Sequence, residues 1–186
     1  MQRNRFQIRL KNAFSSRDQR ATNESPRRSI LNKILASLLL IGVIALPVAA
    51  DARPVTLTTQ LKNYGGNGAY LAIYVTDAKG VYKKTLWVSG KKAKYYKHLR
   101  DWARGSGLKA SEFDGVSGAS VGSGRTLKVT VELADALIDA GYEIRVDSAV
   151  EDLRDNPADV RAPLTKKGAG KPVAGRGYVK SFTYAM

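Results

Sequence analysis

The chain has 186 residues, with 31 Lys and Arg against 16 Asp and Glu, one His and no Cys, for a formal charge of +15. The missing cysteines exclude disulfides, zinc–thiolate centres, c-type haem attachment and cysteine nucleophiles, and the single His excludes His-rich metal centres. Such a charge first suggests a nucleic-acid binder, a reading that depends on where the charge sits.

Residues 1–33 are polar and basic and carry no fold-forming period. An uncharged run follows from Ile34, with an apolar centre over 34–46, and it ends in Pro47-Val48-Ala49-Ala50-Asp51-Ala52. A basic n-region, a short apolar core and small residues at its end make an export signal over residues 1–52, with cleavage expected after Ala50 or after Ala52. The run is shorter than the ~20 apolar residues of a spanning helix. Ser25-Pro26-Arg27-Arg28-Ser29-Ile30-Leu31 resembles a twin-arginine signal, and the long n-region agrees with that route. The Leu-rich core agrees instead with an ordinary Sec leader. Either route leads to a bacterial periplasm, and a lipobox is impossible without Cys.

The remainder, 53–186, is long enough for one core. Val55, Leu57, Thr59 and Leu61 alternate with polar neighbours, as do Leu127, Val129, Val131 and Leu133, so both segments read as half-buried strands. Ala69–Thr76 is apolar on both faces, which places it centrally in a sheet. Asp77-Ala78-Lys79-Gly80 turns the chain, and Val81–Ser89 returns as a hairpin partner. Tyr142–Val150 and Tyr178–Tyr184 are further strands, with Val160–Leu164 a short edge strand limited by Pro163. One amphipathic helix fits from Ala93 to Arg104, with Tyr95, Leu99 and Trp102 on one stripe and Lys97, Arg100 and Arg104 on another. Ala134–Ala140 fits a single helical turn, and Gly168–Gly177 reads as a mobile loop. The expected fold is mainly all-β: an immunoglobulin-like β-sandwich with one short amphipathic helix.

Asp114-Gly115-Val116-Ser117-Gly118-Ala119-Ser120-Val121-Gly122-Ser123-Gly124 is the most informative segment. On composition it is a Gly/Ser loop whose backbone N–H groups and Ser117, Ser120 and Ser123 hydroxyls are approachable, a setting for an anion nest or a plain flexible connection. The same string resembles the motif recognised by the bacterial periplasmic flavin transferase: Asp, two variable residues, Ser or Thr, Gly, Ala, then Ser or Thr. It matches at Asp114, Ser117, Gly118, Ala119 and Ser120. The resemblance implies covalent FMN, joined through its phosphate to Ser120. The departure is that Ser stands where the best-known flavinylated domains have Thr. A bound flavin would do the redox work while the protein tethers and orients it.

Further strings carry a second resemblance: Asn63-Tyr64-Gly65-Gly66, Ala69–Tyr74, Lys84-Thr85-Leu86-Trp87-Val88, Lys94-Tyr95-Tyr96, Asp101-Trp102, Asp114–Gly124 and Val173–Val179. With these, residues 55–186 resemble domain of unknown function 2271, a family of predicted periplasmic proteins. That resemblance implies a setting with flavin transferase and PepSY-type membrane flavoproteins as partners. It implies no reaction and no turnover site.

Ten basic residues and one acidic residue lie between Lys79 and Lys109, and nine basic and two acidic residues lie in the first fifty. Tyr82, Trp87, Tyr95, Tyr96 and Trp102 interleave with the former group. Basic residues and aromatics together fit nucleic acid, an anionic membrane surface or an acidic redox partner. They also fit a core of aromatics beneath a solvated face of lysines. Export argues against nucleic acid. A non-redox adaptor that docks through Lys94, Lys97, Arg100 and Arg104 is therefore the alternative to the flavin carrier. Lys94, Lys97 or Arg125 beside a flavin would raise its reduction potential. His98 reads as a solvated or packing residue. The acidic stretch Asp147, Glu151, Asp152, Asp155 and Asp159 lacks EF-hand spacing and reads as a polar turn.

Overall fold

A computed structural model describes residues 51–186; the basic n-region, the apolar core and the twin-arginine string lie outside the described residues. Eight strands form two sheets: β1 (Ala52–Leu61), β2 (Tyr70–Thr76), β3 (Tyr82–Ser89), β4 (Ser117–Gly118), β5 (Thr126–Ala134), β6 (Glu143–Ala149), β7 (Asn156–Pro163) and β8 (Val179–Ala185). One sheet has the order β5-β1-β8 and the other β4-β3-β2-β6-β7. In immunoglobulin order, β1 and β5 stand where strands B and E pair, and β3, β2, β6 and β7 where C′, C, F and G pair. The place of strand A beside B is filled from the other end of the chain, by β8. Among the described residues β8 is thus one edge of the three-stranded sheet.

The alternation in β1 is borne out, with Val55, Leu57, Thr59 and Leu61 all buried. In β5 the inward residues Leu127, Val129 and Val131 are only half-buried, because β5 is an edge strand. Between the sheets, Val55, Leu57 and Leu61 meet Leu71, Ile73 and Val75 of β2, Ile144 and Val146 of β6, and Phe182 and Tyr184 of β8. The two-sided apolarity of β2 has its explanation in a third layer. On the outer face Ala72 and Tyr74, with Val88 and Ala149, pack beneath Tyr96, Leu99 and Trp102.

That layer differs from the continuous helix expected over 93–104. Ala93–His98 is a 3₁₀ segment, Leu99 breaks it at φ −84° and ψ 71°, and α1 runs over Arg100–Ser106. The break is imposed by Asp147 of β6. Its carboxylate is fully buried and accepts from the backbone N–H of Asp101 (2.8 Å) and Trp102 (2.9 Å), so α1 begins where a sheet carboxylate satisfies its orphan donors. Asp147 also accepts from the Tyr74 hydroxyl at 2.9 Å and the Ala158 N–H at 2.7 Å. Burial raises the Asp147 carboxyl above its ordinary range, against the pull of the hydrogen bonds from Trp102, Ala158 and Tyr74. Burial and the adjoining carboxylate push the Tyr74 phenol far up, so it stays a donor.

The other carboxylate misread as part of a polar turn is Asp159, also buried. It accepts from the Ser148 hydroxyl and from the N–H of Gly177 and Val179. Together with the Val173–Phe182 bridge and the Gly170 N–H to Tyr184 carbonyl bond, this pins the segment read as a mobile loop along β8. The edge strand expected over 160–164 is longer, Asn156–Pro163, and the expected helical turn after β5 is the 3₁₀ turn Asp135–Leu137.

Candidate functional site

The Gly/Ser segment is a built element of the sheet. Ser117 and Gly118 run parallel to β3, with Val88 N–H to Val116 carbonyl at 2.9 Å and Gly90 N–H to Gly118 carbonyl at 2.8 Å. Three residues on, Val121 pairs antiparallel with Ala69 through reciprocal bonds of 2.7 and 3.0 Å. Beyond it the Ser123 hydroxyl accepts from the N–H of Tyr64 (2.9 Å) and Gly65 (3.0 Å) and donates to Asn63 Oδ1. Ser123 is a staple between two loops.

Ala119 and Ser120 form the crest between these anchors, and both are exposed. Asp114, Gly115 and Ser117 are exposed as well, so the motif is presented as an accessible strip. Asp114 follows the 3₁₀ turn Ala110–Glu112, to which its N–H is bonded, and precedes Gly115 at φ 77°. No hydrogen bond or ion pair among the described residues joins Asp114 to Ser120.

Two glycines shape the strip. A Cβ on Gly118 would lie 2.8 Å from the Trp87 ring, and a Cβ on Gly68 would lie 2.8 Å from Ser120 Oγ. Gly118→Ala is expected to destabilise the domain by about 1–3 kcal/mol, because the indole or β4 must move. Urea denaturation measures this, and an unchanged midpoint would show that the contact is slack. Gly68 was missed from the sequence, where nothing marks it apart from the neighbouring glycines.

The four basic residues proposed for docking are not brought together as one free face. Arg100 Nε pairs with Asp155 at 2.9 Å, and Arg104 pairs with Asp101 at 3.5 Å. Lys94 places its Nζ 4.8 Å from the centre of the Tyr95 ring, and Lys97 is exposed. The break at Leu99 sets Lys94 and Lys97 on a different segment from Arg100 and Arg104. Among the aromatics, Tyr96 and Trp102 are core, while Tyr82, Trp87 and Tyr95 are half-buried. His98 reaches Asp155 through Nδ1 at 3.2 Å. No group of His, Asp and Glu suited to a metal ion occurs among the described residues.

A polar relay underlies α1. Trp102 Nε1 donates to Thr85 Oγ1 at 2.8 Å, Thr85 bonds the Tyr82 hydroxyl at 2.7 Å, and Tyr82 donates to Glu112. Burial, with the Glu112 carboxylate, pushes the Tyr82 phenol up to about 12. The relay ties the turn before the motif to the core.

Residues 52–181 match the family model described as "Predicted periplasmic protein (DUF2271)". No curated protein and no solved structure matches the chain significantly.

Proposed function

The chain belongs to this family of predicted periplasmic proteins, and from that premise we propose that it is exported, carries covalent FMN on Ser120, and shuttles electrons. The observation that carries the reading is the exposed Ser120 crest, held at fixed height by the backbone anchors at Gly118 and Val121.

The residues present fit such a group. An acceptor hydroxyl must be reachable by a transferring enzyme, and its neighbours must be small. Ala119 and Gly68 leave that space, and the exposed strip from Asp114 to Ser120 can be read from outside without unfolding. Ser117 is exposed as well, but its backbone is laid against β3, whereas Ser120 stands on the unpaired crest. Bound FMN would supply one- and two-electron chemistry, and the protein would supply tethering, orientation and electrostatics. Flavin transferase is the partner that loads it. A PepSY-type membrane flavoprotein is the proposed redox partner, reached at the membrane surface with Lys94 and Lys97 as docking cations. No nucleic-acid role and no turnover site of its own enter this reading.

The alternative, a non-redox adaptor docking through Lys94, Lys97, Arg100 and Arg104, has less support. Two of its four cations already have carboxylate partners. Co-expression of the full chain with a flavin transferase tests the choice. Flavin fluorescence should remain with the polypeptide after denaturation. An unlabelled chain beside a labelled control substrate would overturn the proposal.

A further inference from the structure

Each sheet has two edges, and β5 differs from the other three in being open to further pairing. The outer side of β8 is lined by the segment before it, through reciprocal 2.8 Å bonds between Val173 and Phe182 and a 2.8 Å bond from Gly170 N–H to the Tyr184 carbonyl. β4 is only two residues long. β7 contains Pro157 and Pro163, shifts register against β6, and has its Asp159 carbonyl taken by the Arg176 N–H at 2.9 Å. These are the usual protections of an edge, and β5 has none of them. It runs nine residues without proline and pairs with β1 in unbroken register. Its inward side chains Leu127, Val129 and Val131 carry no charge and stay half-buried. Among the described residues no backbone hydrogen bond reaches its outer side.

The bonding phase shows which groups are free. The Arg125 carbonyl accepts from Leu61 N–H and the Asp135 N–H donates to the Asp51 carbonyl, so the odd-numbered residues of this strand turn their backbone to β1. Thr126, Lys128, Thr130, Glu132 and Ala134 therefore turn their N–H and C=O groups outward. A second β5, antiparallel and centred on Thr130, sets Thr130 opposite Thr130, Lys128 opposite Glu132 and Thr126 opposite Ala134. Every one of these pairs falls at a hydrogen-bonding position. Lys128 and Glu132 are exposed and have no ion-pair partner among the described residues. They stand roughly 13 Å apart along their own strand, too far to pair with each other. Across the edge each meets its complement at a Cα separation of about 5.5 Å. Moving the centre to Lys128 or to Glu132 instead puts like charges directly opposite, which is destabilising. On the inner face, Val129 of one copy lies beside Val131 of the other, covering side chains that the free edge leaves half-buried.

We propose that β5 is a homodimer interface. Two copies pair edge to edge about a twofold axis at Thr130, joining their sheets in the order β8-β1-β5-β5-β1-β8. The contact is isologous, so the Lys128–Glu132 pair forms twice, once on each side of the axis. Pairing needs neither a flavin nor Ser120.

The full chain is expressed, and the purified protein is followed by sedimentation velocity over a range of concentrations. Wild type should pass from one copy to two as concentration rises. Lys128→Glu reverses both charged pairs and should weaken the dimer by roughly tenfold or more. Adding Glu132→Lys to the same chain should restore it. Both positions are exposed, so far-ultraviolet circular dichroism should be unchanged in either variant. The chain has no Cys, so a single introduced thiol reads the register. Thr130→Cys should give a disulfide-linked dimer on mild oxidation, because the paired Cα atoms fall within disulfide range. Thr126→Cys, on the same face but far from its own copy, should stay unlinked. A monomer at every concentration would overturn the proposal, including one whose edge captures a strand of another protein. So would a dimer indifferent to Lys128→Glu, or one linked through Thr126→Cys and not through Thr130→Cys.

Discussion

Asp147→Ala is expected to lower the unfolding free energy by about 3–5 kcal/mol, the scale seen when a buried charged network loses its centre. The carboxylate is fully buried and collects four donors: Tyr74 Oη, and the N–H groups of Asp101, Trp102 and Ala158. Alanine leaves all four unsatisfied in a space that water fills poorly, and each buried orphan costs about 1–3 kcal/mol before relaxation. Two of the donors are the first turn of α1, so the helix layer should loosen first. A third belongs to Ala158, whose left-handed φ of 42° is unfavourable for a residue with a Cβ and is held there by the bond to Asp147. Asp147→Asn should be destabilising too, because its amide nitrogen would face a donor. Chemical denaturation followed by tryptophan emission reads the change, Trp102 being in the affected layer, and a melt should fall by roughly 10–20 °C. A loss below 1 kcal/mol would mean that the donors find other partners.

The contrast between what the sequence disclosed and what it concealed follows from the range of the interactions. Alternation in β1 and the two-sided apolarity of β2 were legible because burial repeats with the strand period, and each residue reports its own environment. The sandwich class followed from those repeats. The break at Leu99 was hidden, because Tyr95, Leu99 and Trp102 do satisfy a helical stripe, and the carboxylate that interrupts it lies 46 residues from Asp101. An Asp adjoining Val146 within the Ile144–Val150 strand segment, which also carries Arg145 and Ser148, was the available signal. It was read with the acidic residues after it, although Asp147 and Asp159 are buried while Glu151 and Asp152 are exposed. At the candidate site the proposed acceptor, Ser120, was legible only as a sequence resemblance. Its setting was not, because the Ala69–Val121 bridge joins segments 52 residues apart. The basic sector was legible as composition only, since the Asp155 that neutralises Arg100 lies 55 residues away and is brought to it by the fold.

Ser120→Ala is expected to abolish covalent labelling outright, whereas Ser123→Ala is expected to retain it. The two hydroxyls stand three residues apart in a segment of similar composition, but their surroundings differ. Ser123 is committed to the N–H groups of Tyr64 and Gly65 and to Asn63, and its removal strands two donors in a half-exposed loop. The cost should be about 1 kcal/mol of stability, with the strip still presented. Ser120 sits at the exposed crest, and its loss removes the nucleophilic oxygen without disturbing either anchor. Ser120→Thr should be labelled, since the extra methyl points from a solvent-facing position. Gly68→Val should slow labelling of an otherwise intact Ser120, because the new side chain occupies the space beside Oγ. Intact-mass measurement on each variant after co-expression with flavin transferase separates these outcomes. Label persisting in Ser120→Ala and lost in Ser123→Ala would move the acceptor to Ser123, and the crest would then serve only to present it. The four variants therefore distinguish the atom that bonds the phosphate from the residues that hold it in place.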